Sequence, residues 1–225
     1  YEISVRDWSS DVCSSDRDKV NFSTANGTLQ VGANVGPASL GMTINGVTAT
    51  LDVDATKTFT VGGAITNGAS AGSLTKAGSG KLILSGINTY SGATTVSGGT
   101  LQINAGASIA SATAVNSGTF VVDGTSGNVT VNSGGFLRGS GTVGVLSLSG
   151  GGFSPGNSPG TQNAGNTTWN SGSWYDWEIN DVDAGQGTNP GWDFLNITGT
   201  LDIANNFTVF VTSLALQRSD RKSVV

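Results

Sequence analysis

The chain has no histidine and a single cysteine, Cys13, among its 225 residues. Without imidazole, neither a serine–histidine triad nor a histidine-ligated zinc can be assembled, and one thiol builds no disulfide framework. Charge is scarce as well, with Asp, Glu, Lys and Arg making up 11% of the residues. The formal net charge of −5 leaves no basic footprint for nucleic acid or an anionic membrane. No segment carries an apolar stripe at helical spacing long enough to define an α-helix. What the chain does have is glycine, 35 residues of it, among many Ser, Thr and Asn. That texture also suits a disordered linker, but a hydrophobic content of 36% in regular alternation is the pattern of strands.

The two ends depart from this composition and resemble translated sequencing adapters. Tyr1-Glu2-Ile3 and the run from Asp7 to Asp16 match one reading frame of a short-read library adapter, and Asp220-Arg221-Lys222-Ser223-Val224-Val225 matches another. The expected division is therefore 1–16 and 220–225 as adapter-derived, with the native portion at 17–219. Cys13 then drops out, and so do five acidic and three basic residues. The native portion keeps seven basic and ten acidic residues, a net charge of −3. As an internal fragment it is not expected to show a signal peptide.

Residues 73–103 are the most regular stretch. Leu82 and Leu84 flank Ile83, Leu101 and Ile103 flank Gln102, and Gly78, Gly80, Gly86, Gly92, Gly98 and Gly99 punctuate them. Strands so short, each with one apolar face, need stacked copies to complete a core, which predicts a β-solenoid. In order, the stretch reads Lys76, Gly78-Ser79-Gly80, Leu82-Ile83-Leu84, Asn88-Thr89-Tyr90-Ser91-Gly92, Thr94-Thr95-Val96 and Gly98-Gly99-Thr100-Leu101. It thereby resembles the autotransporter-associated β-strand repeat. The resemblance is confined to this stretch and implies an all-β fold, a right-handed single-stranded parallel β-helix, in passengers secreted or surface-displayed by Gram-negative bacteria.

Gly-Thr-apolar triplets at Gly27, Gly99, Gly118, Gly141 and Gly199 predict further strand starts. The steps from Leu82 to Leu101 and from Leu101 to Phe120 are equal, and the step from Phe120 to Phe136 is a little shorter. At roughly 20 residues a coil, the native portion would give about ten rungs and a rod near 45 Å. Asn-Gly pairs at Asn26, Asn45 and Asn67 suit turns that need left-handed backbone. The sequons at Asn128, Asn166 and Asn196 are read as turn chemistry, not glycan acceptors. After the Pro155-Gly156-Asn157-Ser158-Pro159-Gly160 element the texture changes, with Trp169, Trp174, Trp177 and Trp192 beyond it. Residues 17–160 are expected to form the solenoid coils and 161–219 a β-rich C-terminal cap that covers an open strand edge.

Candidate chemistry is thin. A polysaccharide-cleaving β-helix would gather carboxylates with a lysine or arginine, and its test is whether Asp52, Asp54, Asp123 and Arg138 converge. Asp52 with Asp54, and Asp181 with Asp183, would share a face in a strand, though solvated carboxylates explain both pairs. The run Asp181 to Gly187 invites a calcium loop, but Gly185 stands at the third ligand position and no bidentate acid follows. Gly78-Ser79-Gly80-Lys81 lacks the serine or threonine of a phosphate loop and reads as a strand-entry turn. Trp174, Tyr175 and Trp177 would form either a sugar-stacking platform or the core of the cap.

No catalytic, metal or cofactor-binding residue is assigned, and no cofactor is expected. The expected function is that of a non-catalytic structural or adhesive passenger fragment of a secreted or outer-membrane-associated autotransporter-like protein. Its expected partners are glycans or surface and matrix proteins met through an extended polar flank, with neither nucleic acid nor membrane insertion. A carbohydrate-active or glycan-binding β-helix is the alternative, and a self-assembling surface-layer or matrix component the second. The parent chain would carry a translocator barrel or a sorting tail.

Overall fold

A computed structural model describes residues 2–5, 19–23 and 25–213. Of the two adapter-like ends, only 2–5 fall within the described residues. Among those residues all regular secondary structure is strand. Each strand is apolar on one side only and is buried by the strands stacked before and after it, so the chain winds. Ser73–Ala77, Lys81–Leu84 and Ile87–Asn88 place one strand on each of three faces, and Thr94–Val96, Thr100–Ile103 and Ser108–Ile109 lay the next turn upon them. Their pairings are all parallel. One face stacks ten strands, the second nine, and the third falls into blocks of three and six. Ten strands spaced by about 4.8 Å give a rod roughly 43 Å long. The outermost of the ten, Glu2–Val5, pairs with Gly27–Val31 and is the one that lies outside 17–219.

The core is a set of columns running along the rod. On the nine-stranded face Phe59, Leu82, Leu101, Phe120, Leu137 and Phe153 stand in register, and all are buried. On the ten-stranded face the column is Leu29, Leu51, Lys76, Val96, Val115, Val131, Leu148 and Trp169. A lysine thus occupies a position that is apolar in every neighbouring rung.

The two equal steps predicted from Leu82 to Leu101 and from Leu101 to Phe120 are register pairs. The next step is different: Phe120 faces Leu137, and Phe136 faces Thr119. Side chains alternate along a strand, so moving the partner by a single position turns Phe136 outward and buries Leu137 instead. Each of the five Gly-Thr-apolar triplets does begin a strand, but on different faces. Leu29 and Leu201 lie on the ten-stranded face, Leu101 and Phe120 on the nine-stranded face, and Val143 on the third.

Asparagine at the corners works between rungs. The side-chain oxygens of Asn26, Asn45 and Asn67 accept the backbone N–H of Thr48, Ser70 and Ser91 at 2.7, 2.8 and 3.1 Å. Asn128 and Asn166, the first two sequon residues, accept Val145 N–H and Thr200 N–H at 3.0 and 3.1 Å in the same way. Left-handed backbone accounts for only one of the three Asn-Gly pairs, at Gly46 with φ 67°. At the others the side-chain hydrogen bond satisfies a corner amide that no strand ladder reaches.

The faces continue through the Pro155-to-Gly160 element. Thr161–Ala164 pairs with Thr142–Val143, Thr167–Trp169 with Leu146–Ser149, and Trp174–Ile179 with Gly152–Pro155. The last turn is much longer than the others: Trp174 faces Thr208, because residues 180–193 loop out before the chain resumes at Phe194–Ile197.

Candidate functional site

The nine-stranded face carries a cleft of about 220 Å³, lined by Phe136, Arg138, Ser154, Gly156, Ser158, Asp176 and Glu178. Three rungs build it. Gly135–Gly139 turns Phe136 and Arg138 outward because Leu137 points in, and Gly152–Pro155 contributes Ser154 next to buried Phe153. Trp174–Ile179 adds Asp176 and Glu178 on the side opposite Tyr175. Paired hydrogen bonds between Gly139 and Gly156, at 3.2 and 2.6 Å, fix the turn that brings Gly156 and Ser158 over the rim.

Outward aromatic rings wall one side. Phe136 and Trp174 stack with centroids 5.1 Å apart and planes 18° from parallel, and Phe210 meets Trp174 edge-on at 5.9 Å. Phe136 and Trp174 sit two rungs apart. They touch because Gly152 lies between them, where an added Cβ would stand 2.2 Å from the Trp174 ring and 2.7 Å from that of Phe136.

Behind the cleft lies Asp193, 3% exposed. Its carboxylate accepts Gly160 N–H at 2.9 Å and Glu178 N–H at 3.0 Å, and its backbone oxygen accepts the Trp177 indole N–H at 3.0 Å. Burial pushes its pKa up to about 6, the nearby charges of Glu178 and Asp176 add to the rise, and the two backbone donors oppose it. The residue fastens the exit of the 180–193 loop to both the Glu178 strand and the turn of the cleft.

The residues singled out from the sequence are distributed differently. Asp52 lies in Thr48–Val53 opposite Gln30 and Ala77, and Asp54 sits just past the strand end, so the two do not share a strand face. Asp123 accepts Gln102 at 2.9 Å and Asn157 at 2.9 Å, tying corners of successive rungs together. Arg138 lines the cleft with Asp176 and Glu178 and does not gather with these three. Asp181 and Asp183 stand in a loop, not a strand, where the Asp181 carboxylate accepts Asp183 N–H at 2.9 Å. Among the described residues no group of three or more acidic, histidine or cysteine side chains is gathered as a metal site would require. Gly78-Ser79-Gly80 is a turn feeding the strand Lys81–Leu84, with Gly78 at φ 71°. Trp174 and Tyr175 separate across the sheet: Trp174 joins the outer aromatic wall, whereas Tyr175 packs inward on Phe153 and Trp169 at 5.5 and 5.7 Å.

Four polar residues of the 73–103 stretch, Lys76, Asn88, Tyr90 and Thr94, point into the rod. Lys76 is fully buried, and its ammonium donates to the carbonyls of Ala77, Gly78 and Gly98 at 2.5, 2.9 and 3.3 Å, which closes one corner over two rungs. Burial lowers its pKa to about 8 against the opposing pull of Asp52. Asn88 clamps three rungs: its oxygen accepts Ile65 N–H at 2.9 Å, and its nitrogen donates to Gly86 O and Ser108 O, each at 2.9 Å. Tyr90 hydroxyl, Thr94 and Ser111 form a buried chain with spacings of 2.7 and 2.6 Å.

Residues 74–103 match the family described as the passenger-associated-transport-repeat. Among curated proteins and solved structures, none matches the chain. Fold and repeat together define a parallel β-solenoid bearing an autotransporter-passenger repeat, a combination that fits a passenger domain.

Proposed function

We propose that the chain is a non-catalytic stretch of a passenger that a Gram-negative bacterium secretes or displays on its surface, where the rod spaces and presents other parts of the protein and contributes adhesive contacts along its polar outer faces. The observation that carries this reading is the repeat at 74–103, whose Lys76 and Asn88 bond from rung to rung and whose Tyr90 hydroxyl is taken up by Thr94, so none of the three is a free reactive group. The outward flanks are rich in Ser, Thr and Asn, which supply many weak hydrogen-bonding positions instead of one decisive residue.

The test is display. The chain, placed between a signal peptide and a translocator β-barrel, should reach the surface of a Gram-negative host folded, resistant to added protease, and adherent on glycan or matrix-protein arrays. Retention in the periplasm would count against a passenger. Release of reducing ends from a polysaccharide would replace the non-catalytic reading with a carbohydrate-active one, provided Asp176→Asn or Glu178→Gln abolished it.

A further inference from the structure

We infer that the cleft between Phe136, Arg138, Asp176 and Glu178 is a binding site for one pyranose unit of a glycan that bears no carboxylate. The volume of about 220 Å³ lies below the range of roughly 300–1,000 Å³ typical of pockets for larger ligands, and it suits a single ring. Phe136, backed by Trp174, offers an aromatic wall for the C–H face of a sugar. Around it stand the guanidinium of Arg138, the hydroxyls of Ser154 and Ser158, and the carboxylates of Asp176 and Glu178. Donors and acceptors thus both line the space, as vicinal hydroxyls require. Asp176 is held by a hydrogen bond of 2.7 Å from Thr212, so its position is set before any ligand arrives. Among the described residues Arg138 and the Glu178 carboxylate have no hydrogen-bonding or ion-pair partner of their own, so their capacity faces the cleft. Two carboxylates against one guanidinium leave the site net negative, which disfavours uronic and sialic acids and admits neutral or amino sugars.

This site is local, unlike the diffuse adhesive surface proposed above, and it stands or falls without reference to secretion. The experiment is an NMR titration of the purified chain with glucose, N-acetylglucosamine, glucosamine and glucuronate. At least one of the first three should bind saturably with a Kd on the order of 1–10 mM, and glucuronate about tenfold or more weakly. Arg138→Ala and Glu178→Gln should each weaken binding about tenfold, and Ser154→Phe, which fills the cleft, should abolish it. Lys57→Ala, on another part of the rod, should leave it unchanged. Arg138, Ser154 and Glu178 all face out from the sheet into the cleft, and an unchanged far-UV spectrum and melting curve certify each variant. The proposal is overturned by an absence of saturation with every sugar, by glucuronate binding as well as the others, or by indifference to Arg138→Ala and Glu178→Gln.

Discussion

Val209 and Leu101 hold equivalent places on the nine-stranded face, yet Leu101 is 0% exposed and Val209 44%. The same contrast holds on the ten-stranded face, where Leu148 is 1% exposed, Trp169 6%, and Ile203, next in that column, 51%. Strand pattern does not differ between the middle and the last described rung; the layers on either side do. In a solenoid a rung's burial belongs to its neighbours, so stability is a sum of interfaces, and identical chemistry counts for little where the inner face of a rung is exposed. Leu101→Ala should therefore cost about 2–5 kcal/mol, the range for a buried leucine, while Val209→Ala should cost well under about 1 kcal/mol. Urea denaturation of both variants makes the comparison directly. Equal losses would mean that the last rung is as closely covered as the middle.

How much of this the sequence discloses depends on the range of the interaction. Strand starts are local, and each of the five Gly-Thr-apolar triplets marks one. The regular step is also legible, because Leu82, Leu101 and Phe120 repeat within one regular stretch. Register fails at the first shortened turn, where Phe136 and Leu137 are adjacent and both apolar, and only the pairing of Gly118 with Gly135 decides. The cleft is less legible still. Arg138 and Asp176 are distant in the chain, and they line one cleft because two successive turns of unequal length, Phe136 to Gly152 and Gly152 to Trp174, stack their strands on either side of Gly152–Pro155. The outward alternation of Trp174, Asp176 and Glu178 is a usable signal, but it names no partner. Lys76 is the sharpest inversion: a lysine in a strand reads as solvent-facing, and only the carbonyls of Ala77, Gly78 and Gly98 make an inward one tolerable.

The two regions should also respond to pH in opposite directions. Lys76, in the middle, has its pKa lowered from 10.5 to about 8, so between those values the unfolded chain binds more protons and stability rises with pH. Asp193, near the cleft, has its pKa raised from 3.8 to about 6, so there the folded chain binds more protons and stability falls as pH rises through that window. At about 1.36 kcal/mol per unit each effect is on the order of 1–3 kcal/mol. Lys76→Met should erase the alkaline rise and Asp193→Asn the acid-side fall, each without touching the other. Melting temperatures at pH 4, 6, 8 and 10 resolve the two slopes.

Gly152→Ala probes the seam between the regions. Its Cβ would enter the space between Phe136 and Trp174, so the outer stack must open, at a cost of about 1–3 kcal/mol. Because the core column at Phe153 is untouched, the loss should appear as a red shift of Trp174 emission, from a more hydrated indole, together with the lowered stability. Gly172→Ala is the control with free space, since an added Cβ there lies 3.7 Å from Gly150, but its φ of 79° makes any loss one of backbone strain with no change in Trp174 emission.

A smaller effect than that of Gly152→Ala should come from Phe136→Ala. The ring is outward, so its removal leaves no internal cavity, and what it forfeits is one stacked pair worth about 0.5–1.5 kcal/mol. Trp174 would keep its edge contact with Phe210, which belongs to the exposed last rung. The aromatic wall thus links a well-covered rung to an uncovered one. If Trp174 is anchored by the covered side, Phe136→Ala should accelerate amide exchange in Trp174–Ile179 more than Phe210→Ala does. The reverse order would show that the last rung, despite its exposure, steadies the rungs before it.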